Sequence, residues 1–165
     1  MTKRTRQYIG LLTAVAVYYL IHEGAHFLYA LSHGVFKKIN FMGLGIQIDI
    51  FADRLTPLQL AVFCLVGVLA TQISAYVMTA LSKRICRAPS KLLRACCYYS
   101  TIILLLLDPL YLSILCGFFG GGDMNGIMLL VHESTARMAF GLLLMLNGLI
   151  FWKLILPQYS ISFAE

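Results

Sequence analysis

Four long apolar stretches recur along the chain, at about residues 8–31, 57–81, 95–116 and 136–156. A helix needs about 20 mainly apolar residues to cross the hydrocarbon core of a bilayer. Each stretch has about that length and contains few charges, so each predicts a membrane-spanning helix. The pattern therefore predicts an all-α membrane protein with four transmembrane helices.

The connection between the first two stretches has a different period. Residues 46–50, Ile-Gln-Ile-Asp-Ile, alternate apolar and polar side chains, which is typical of a β-strand. Residues 35–41 are the expected partner strand, with the turn at residues 43–45. A small β-hairpin at about residues 35–51 is therefore predicted directly after the first helix.

The connection before the last stretch is rich in glycine, with Gly117, Gly120, Gly121 and Gly122 in close succession. Glycine destabilises a helix, so irregular backbone is expected within residues 117–134. Pro109 is expected to loosen the third helix in the same region. The sequence shows no internal repeat and no separate soluble segment, which predicts one integral-membrane unit over residues 1–165.

The composition fits a chain embedded in lipid. Apolar residues make up 60% of the sequence and charged residues only 12%, whereas soluble domains contain about 25% charged residues. These values exclude a soluble domain, a disordered chain and a coiled coil. The five cysteines form no C-x-x-C motif, so they predict neither a cysteine metal cage nor a disulfide scaffold.

The net charge of +6 comes mainly from two basic segments, residues 3–6 and 83–94. Four spans place both segments on the same side of the membrane, and basic connections favour the cytoplasmic side. We therefore expect a multi-pass protein of the cytoplasmic (plasma) membrane with both termini in the cytoplasm. Because topology accounts for these charges and no aromatic residues interleave with them, the expected partner is the lipid bilayer and not nucleic acid.

The first span contains the motif His22-Glu23-Gly24-Ala25-His26. Residues four apart share one face of a helix, so both imidazoles can reach one metal ion with Glu23 beside them. Neutral imidazoles suit zinc, and a catalytic zinc site keeps one position for water. The motif therefore predicts a Zn2+ site with His22 and His26 as ligands and Glu23 as the catalytic base. Ionisable side chains are costly within a membrane span, which also indicates a functional role.

A zinc site of this kind is expected to have a third protein ligand. Asp123 follows the glycine-rich segment, which can dip back toward the motif. Asp108 reaches a comparable depth on the third span, and Glu133 lies just before the last one. The residues alone leave Asp123 and Asp108 as alternatives, while Glu133 is more typical of a polar lead-in to a helix.

The motif in a transmembrane helix, the hairpin after it and an aspartate–glycine segment before the last helix resemble the site-2 protease family of intramembrane zinc metalloproteases. The resemblance covers most of the chain and is specific at His22, Glu23 and His26. In the family the third zinc ligand is an aspartate in an Asn-Pro-Asp-Gly-like stretch, and the resemblance implies that Asp123 has this role. The match departs from that pattern, because no proline precedes Asp123 and Gly126 lies three positions further on.

The resemblance also implies a function, the hydrolysis of a peptide bond in or next to a transmembrane segment of a membrane-protein substrate. In the family, strands after the catalytic helix offer an edge to an unwound substrate, a role that falls here on Ile46, Gln47 and Ile48. An extended segment suits this chemistry because a helix hides its peptide carbonyls.

Two other functions remain open from the sequence. The same fold would suit a catalytically inactive metal-binding membrane scaffold, or a proton or metal transporter, although four helices without repeats would make a small one. The side of the site is open too, because the family's active site lies toward the cytosol whereas the basic segments place the motif toward the outer side.

The other polar residues within the spans predict packing roles. Gln72, Ser74 and Asn147 are expected to form hydrogen bonds between helices. Tyr18 and Tyr19 are expected to be packing residues.

Overall fold

The computed structural model describes residues 1–42, 45–120 and 122–164. Among these residues, the helices that are long and apolar enough to cross a membrane are α1 (Lys3–Ser32), α2 (Pro57–Ala80), α4 (Lys91–Phe119) and α6 (Glu133–Ala164). Two short helices, α3 (Ser82–Cys86) and α5 (Asp123–Ile127), lie between them. The predicted fold class, four membrane-spanning helices with a hairpin after the first, is confirmed.

Three of the four helices begin earlier than their apolar stretches predict, because polar residues cap their first turns. The Thr2 side chain accepts a hydrogen bond from the Thr5 N–H, so α1 starts five residues before the predicted position. Ser90 caps α4 and His132 caps α6 in the same manner. The start of α2 at Pro57 is as predicted, with a capping box formed by Thr56.

Two irregularities shape α4. After Pro109 the helix continues as a wider π-helical segment at Tyr111–Leu115, so the proline loosens α4 without ending it. The chain reverses beyond Phe119, where Gly120 and Gly122 have φ angles of 95° and 46°. The irregular segment is therefore shorter than predicted, since residues 117–119 and 123–127 are helical; Gly121 lies outside the described residues.

The predicted hairpin is present, as β1 (Phe36–Met42) paired with β2 (Gly45–Ile50) in antiparallel register. Ile39 lies opposite Ile48, and the register shifts near Phe36. Residues 43–44 of the predicted turn lie outside the described residues. The Ile48 side chain is buried in the apolar core that joins the hairpin to α1, α2 and α5.

Helices α1, α2 and α4 contact one another, and α6 packs on α4. Asn147 of α6 is fully buried and its Nδ2 donates to Gln72 Oε1 at 2.8 Å and to the Leu105 carbonyl at 2.7 Å. The predicted interhelical hydrogen bonds of Gln72 and Asn147 are therefore confirmed. Ser74 forms none with the side chains or backbone of the described residues.

Candidate metal centre

The two histidines of the motif lie on the face of α1 that packs against α2 and α4. His22 is 6% and His26 is 3% exposed. One helical turn separates them, so their rings meet with centroids 4.8 Å apart. The Nε2 atoms are 3.2 Å apart and therefore face a common point.

A glycine on α2 leaves room in front of the imidazoles. A Cβ atom at Gly67 would lie 2.5 Å from Nε2 of His26 and 2.9 Å from Nε2 of His22. Carbon contacts are optimal at about 3.5–4.0 Å, so any other residue would fill the space that the two nitrogen atoms share.

Asp123 reaches this space from α5. Gly120 and Gly122, which have positive φ angles, turn the chain back toward α1. Gly126 lets α5 pack closely against α2, because a Cβ atom at this position would lie 2.3 Å from Cys64 Sγ. Asp123 Oδ2 lies 3.1 Å from Nε2 of His22 and 3.6 Å from Nε2 of His26. Burial raises the pKa of Asp123, but the hydrogen bonds to the two imidazoles outweigh it and bring this pKa to about 2. The carboxylate is therefore charged at neutral pH.

The separations among these three atoms fit a metal ion. In a tetrahedral site with bonds of about 2.0–2.2 Å, ligand atoms lie about 3.3–3.6 Å from one another. The observed separations are 3.2, 3.1 and 3.6 Å, and the two shorter ones lie within about 0.2 Å of this range, the tolerance usual for metal sites. Two imidazoles and one carboxylate match the ligand types of catalytic zinc sites, and they also accept other divalent transition metals. His22, His26 and Asp123 could thus hold such an ion and leave a fourth position open.

Asp108 lies on the opposite side of the His22 ring. Its Oδ2 is 3.3 Å from Nδ1 of His22, and the Thr71 hydroxyl donates to the same oxygen. Tyr18 Oη donates to Oδ1 at 2.5 Å. With an ion in place of the hydrogen atom on Nε2, a carboxylate that accepts from Nδ1–H would keep the imidazole in the neutral tautomer whose Nε2 lone pair binds a metal. Asp108 therefore orients His22 and is not part of the group that faces the common point.

Glu23 faces a cavity beside the candidate metal centre. Its Oε2 accepts a hydrogen bond from the backbone N–H of Ile48 at 3.2 Å. The cavity has a volume of about 780 Å³, and β2 and the end of α4 form its other walls. Ile46, Gln47 and Ile48 all line it. The structure therefore brings the acidic side chain, the predicted edge strand and the three candidate ligands around one space.

Sequence reasoning missed some of the residues that shape the centre. Tyr18 was expected only to pack, and that expectation is wrong in part, because its hydroxyl contacts Asp108. Its position four residues before His22, on the same helix face, was the available signal. Nothing in the sequence indicated the roles of Thr71 and Gly67. Glu133 lies outside the centre and pairs with Arg137 at 3.3 Å.

Comparisons with protein-family models, with curated proteins and with solved structures give no match for this chain. Arguments about function therefore depend on the geometry of the site.

Proposed function

We propose that the chain is an intramembrane zinc metalloprotease of the site-2 protease type, which hydrolyses a peptide bond in or next to a transmembrane segment of a membrane-protein substrate. One observation carries this proposal: Nε2 of His22, Nε2 of His26 and Oδ2 of Asp123 lie 3.1 to 3.6 Å from one another, beside the cavity that Glu23 lines. A site that served only packing would not require a carboxylate at its open side.

His22, His26 and Asp123 would hold the ion, and Asp108 would keep His22 in the tautomer that binds it. When bound, zinc supplies a Lewis acid and lowers the pKa of a water molecule so that it can attack a carbonyl at neutral pH. Asp123 contributes one negative charge to the protein ligands, which favours the binding of a divalent cation over that of a neutral molecule.

Glu23 performs the proton transfers. It lies next to His22 in the helix and lines the cavity, so its carboxylate can take a proton from a water molecule there and pass it to the amide nitrogen as the peptide bond breaks. The backbone of β2 supplies hydrogen bonds along the same cavity, which suits an extended and unwound stretch of substrate.

The placement in the membrane is part of the proposal. The four apolar helices suit a multi-pass membrane protein. The basic segments at residues 3–6 and 83–94 favour a plasma membrane location with both termini in the cytoplasm, which puts the metal centre toward the outer side.

The experiment that tests the function compares Glu23→Gln with Glu133→Gln, a matched substitution at a residue outside the centre. Purified wild-type protein should contain one zinc per chain and cleave a membrane-protein substrate in liposomes. Glu23→Gln should keep the zinc and lose cleavage by about 10²–10⁴-fold, whereas Glu133→Gln should retain both. Full activity in Glu23→Gln would contradict the proposal.

The same preparation distinguishes the other functions. Stoichiometric zinc without cleavage across many membrane substrates would favour the inactive metal-binding scaffold. Zinc flux into sealed proteoliposomes would favour a transporter.

A further inference from the structure

The hydrogen bond between Glu23 and Ile48 joins two groups that the proposed function uses separately. The Glu23 carboxylate is the proposed base, and the β2 backbone is the proposed pairing edge for the substrate. Yet Glu23 Oε2 accepts the Ile48 N–H at 3.2 Å. An acceptor on α1 therefore occupies a donor that an added strand would need.

The direction of this donor follows from the strand geometry. Backbone groups of successive residues in a strand point alternately to its two edges. The Phe51 N–H donates to the Val35 carbonyl at 2.9 Å, so the odd-numbered positions at this end of β2 face β1. Ile46 and Ile48 then present their N–H and C=O groups at the other edge, which no strand covers in the part of the chain that the structure describes.

We infer that Glu23 and an extended peptide compete for the Ile48 N–H, so that strand addition at β2 releases the Glu23 carboxylate into the cavity. This inference rests on the proposed function for the use of the freed carboxylate. A peptide that pairs with β2 places one of its carbonyl oxygens on the Ile48 N–H, and one N–H forms only one strong hydrogen bond. Without a peptide, the base is held against the hairpin.

The competition has a consequence for binding that needs no cleavage. Removing the Glu23 carboxylate removes the competitor, so an extended peptide should bind more tightly to a protein that lacks its base. The expected gain is about fivefold, the size of one net hydrogen bond. The gain should depend on the Ile48 N–H and on no other backbone group of the edge.

The test is a double-mutant cycle on the full-length, zinc-loaded protein in detergent. The probe is a fluorescent peptide of alternating valine and threonine, whose side chains carry no charge. A central hydroxyethylene group replaces one peptide bond, so that the probe cannot be cleaved. Glu23→Ala should lower its dissociation constant about fivefold. In an Ile48→Pro background, which lacks the N–H, Glu23→Ala should have no effect. Ile46→Pro is the matched control: it also lacks an outward N–H, and the fivefold effect should persist there.

Amide hydrogen exchange gives a second measurement that uses no proline. Without peptide, the Ile48 amide should exchange faster in Glu23→Ala than in the wild type, and the peptide should slow it again. The Ile46 amide should be slowed only by the peptide. This result keeps the inference testable should Ile48→Pro fail to fold.

Three results would overturn the inference: no tightening by Glu23→Ala, equal tightening in the Ile48→Pro background, or no peptide binding to any of these proteins. The outcome is separate from the fate of the proposed function. If the protein cleaves its substrate but shows no coupling, only the inference that Glu23 and the peptide share the Ile48 N–H is contradicted. If the coupling is intact but the protein cleaves nothing, only the proposed proteolytic function is contradicted.

Discussion

Replacing Gly67 by alanine puts a methyl group where the two imidazoles converge. The new Cβ would lie 2.5 Å from Nε2 of His26, about 1 Å closer than the optimal carbon contact of about 3.5 Å. Metal–ligand distances tolerate changes of about 0.2 Å, so a ring displaced by about 1 Å could not share the proposed ion with its neighbour. The imidazoles are the ends of rotatable side chains, and so the helices need not move. We expect zinc affinity to fall by about 100-fold or more, since substitutions that only disturb ligand orientation already cost about 10–100-fold.

The assay is a chelator competition titration of the purified protein, with zinc content measured by mass spectrometry. Gly24→Ala is the matched control, because a Cβ at this position on α1 meets no atom within 4 Å. The control should bind zinc as the wild type does, and both variants should keep their helical circular dichroism. Wild-type zinc affinity in Gly67→Ala would refute the reasoning that the two Nε2 atoms face one ion.

The remaining predictions concern the other supports of the site and of the fold. Asp123→Ala should lose zinc, whereas Asp108→Asn should keep it with affinity weakened by about 10–100-fold; equal losses in a chelator titration would contradict the separate roles. Removing the metal with a chelator should lower the thermal midpoint and zinc should restore it, an effect that His26→Ala should lack if this residue is a ligand. Asn147→Ala should destabilise the helix bundle by about 1–3 kcal/mol in detergent unfolding because it leaves buried partners unpaired, and the exposed Asn125→Ala should change little.

The spans and the hairpin were predictable because each depends on a local period. An apolar run of about 20 residues and a two-residue alternation are visible without knowledge of the rest of the chain. The convergence of His22 and His26 was predictable for the same reason, since four-residue spacing fixes a shared helix face. Helix ends were predicted less well, because Thr2 and Ser90 set them through single hydrogen bonds that the apolar pattern does not contain.

The choice between Asp123 and Asp108 could not be made from the sequence, because it depends on contacts between distant segments. Both residues reach His22, one at each ring nitrogen. Depth along the helices suited both equally. Their different positions arise from the chain reversal at Gly120 and Gly122, which carries Asp123 to the Nε2 side, while Asp108 stays on α4 against Nδ1.

The glycines show most directly which features of the site a sequence does not reveal. In a sequence, Gly67 and Gly126 register only as residues that weaken a helix. In the structure, each sits at a close approach: Gly67 faces the imidazoles, and Gly126 lets α5 approach Cys64 so that Asp123 reaches them. Both approaches place α2 against the site. Although α2 contributes no candidate ligand, its packing therefore determines whether the three candidate ligand atoms can meet. The positions most sensitive to a single added methyl group are therefore expected on α2 and α5 as well as in the motif on α1, a distribution that an alanine scan read by zinc content would reveal.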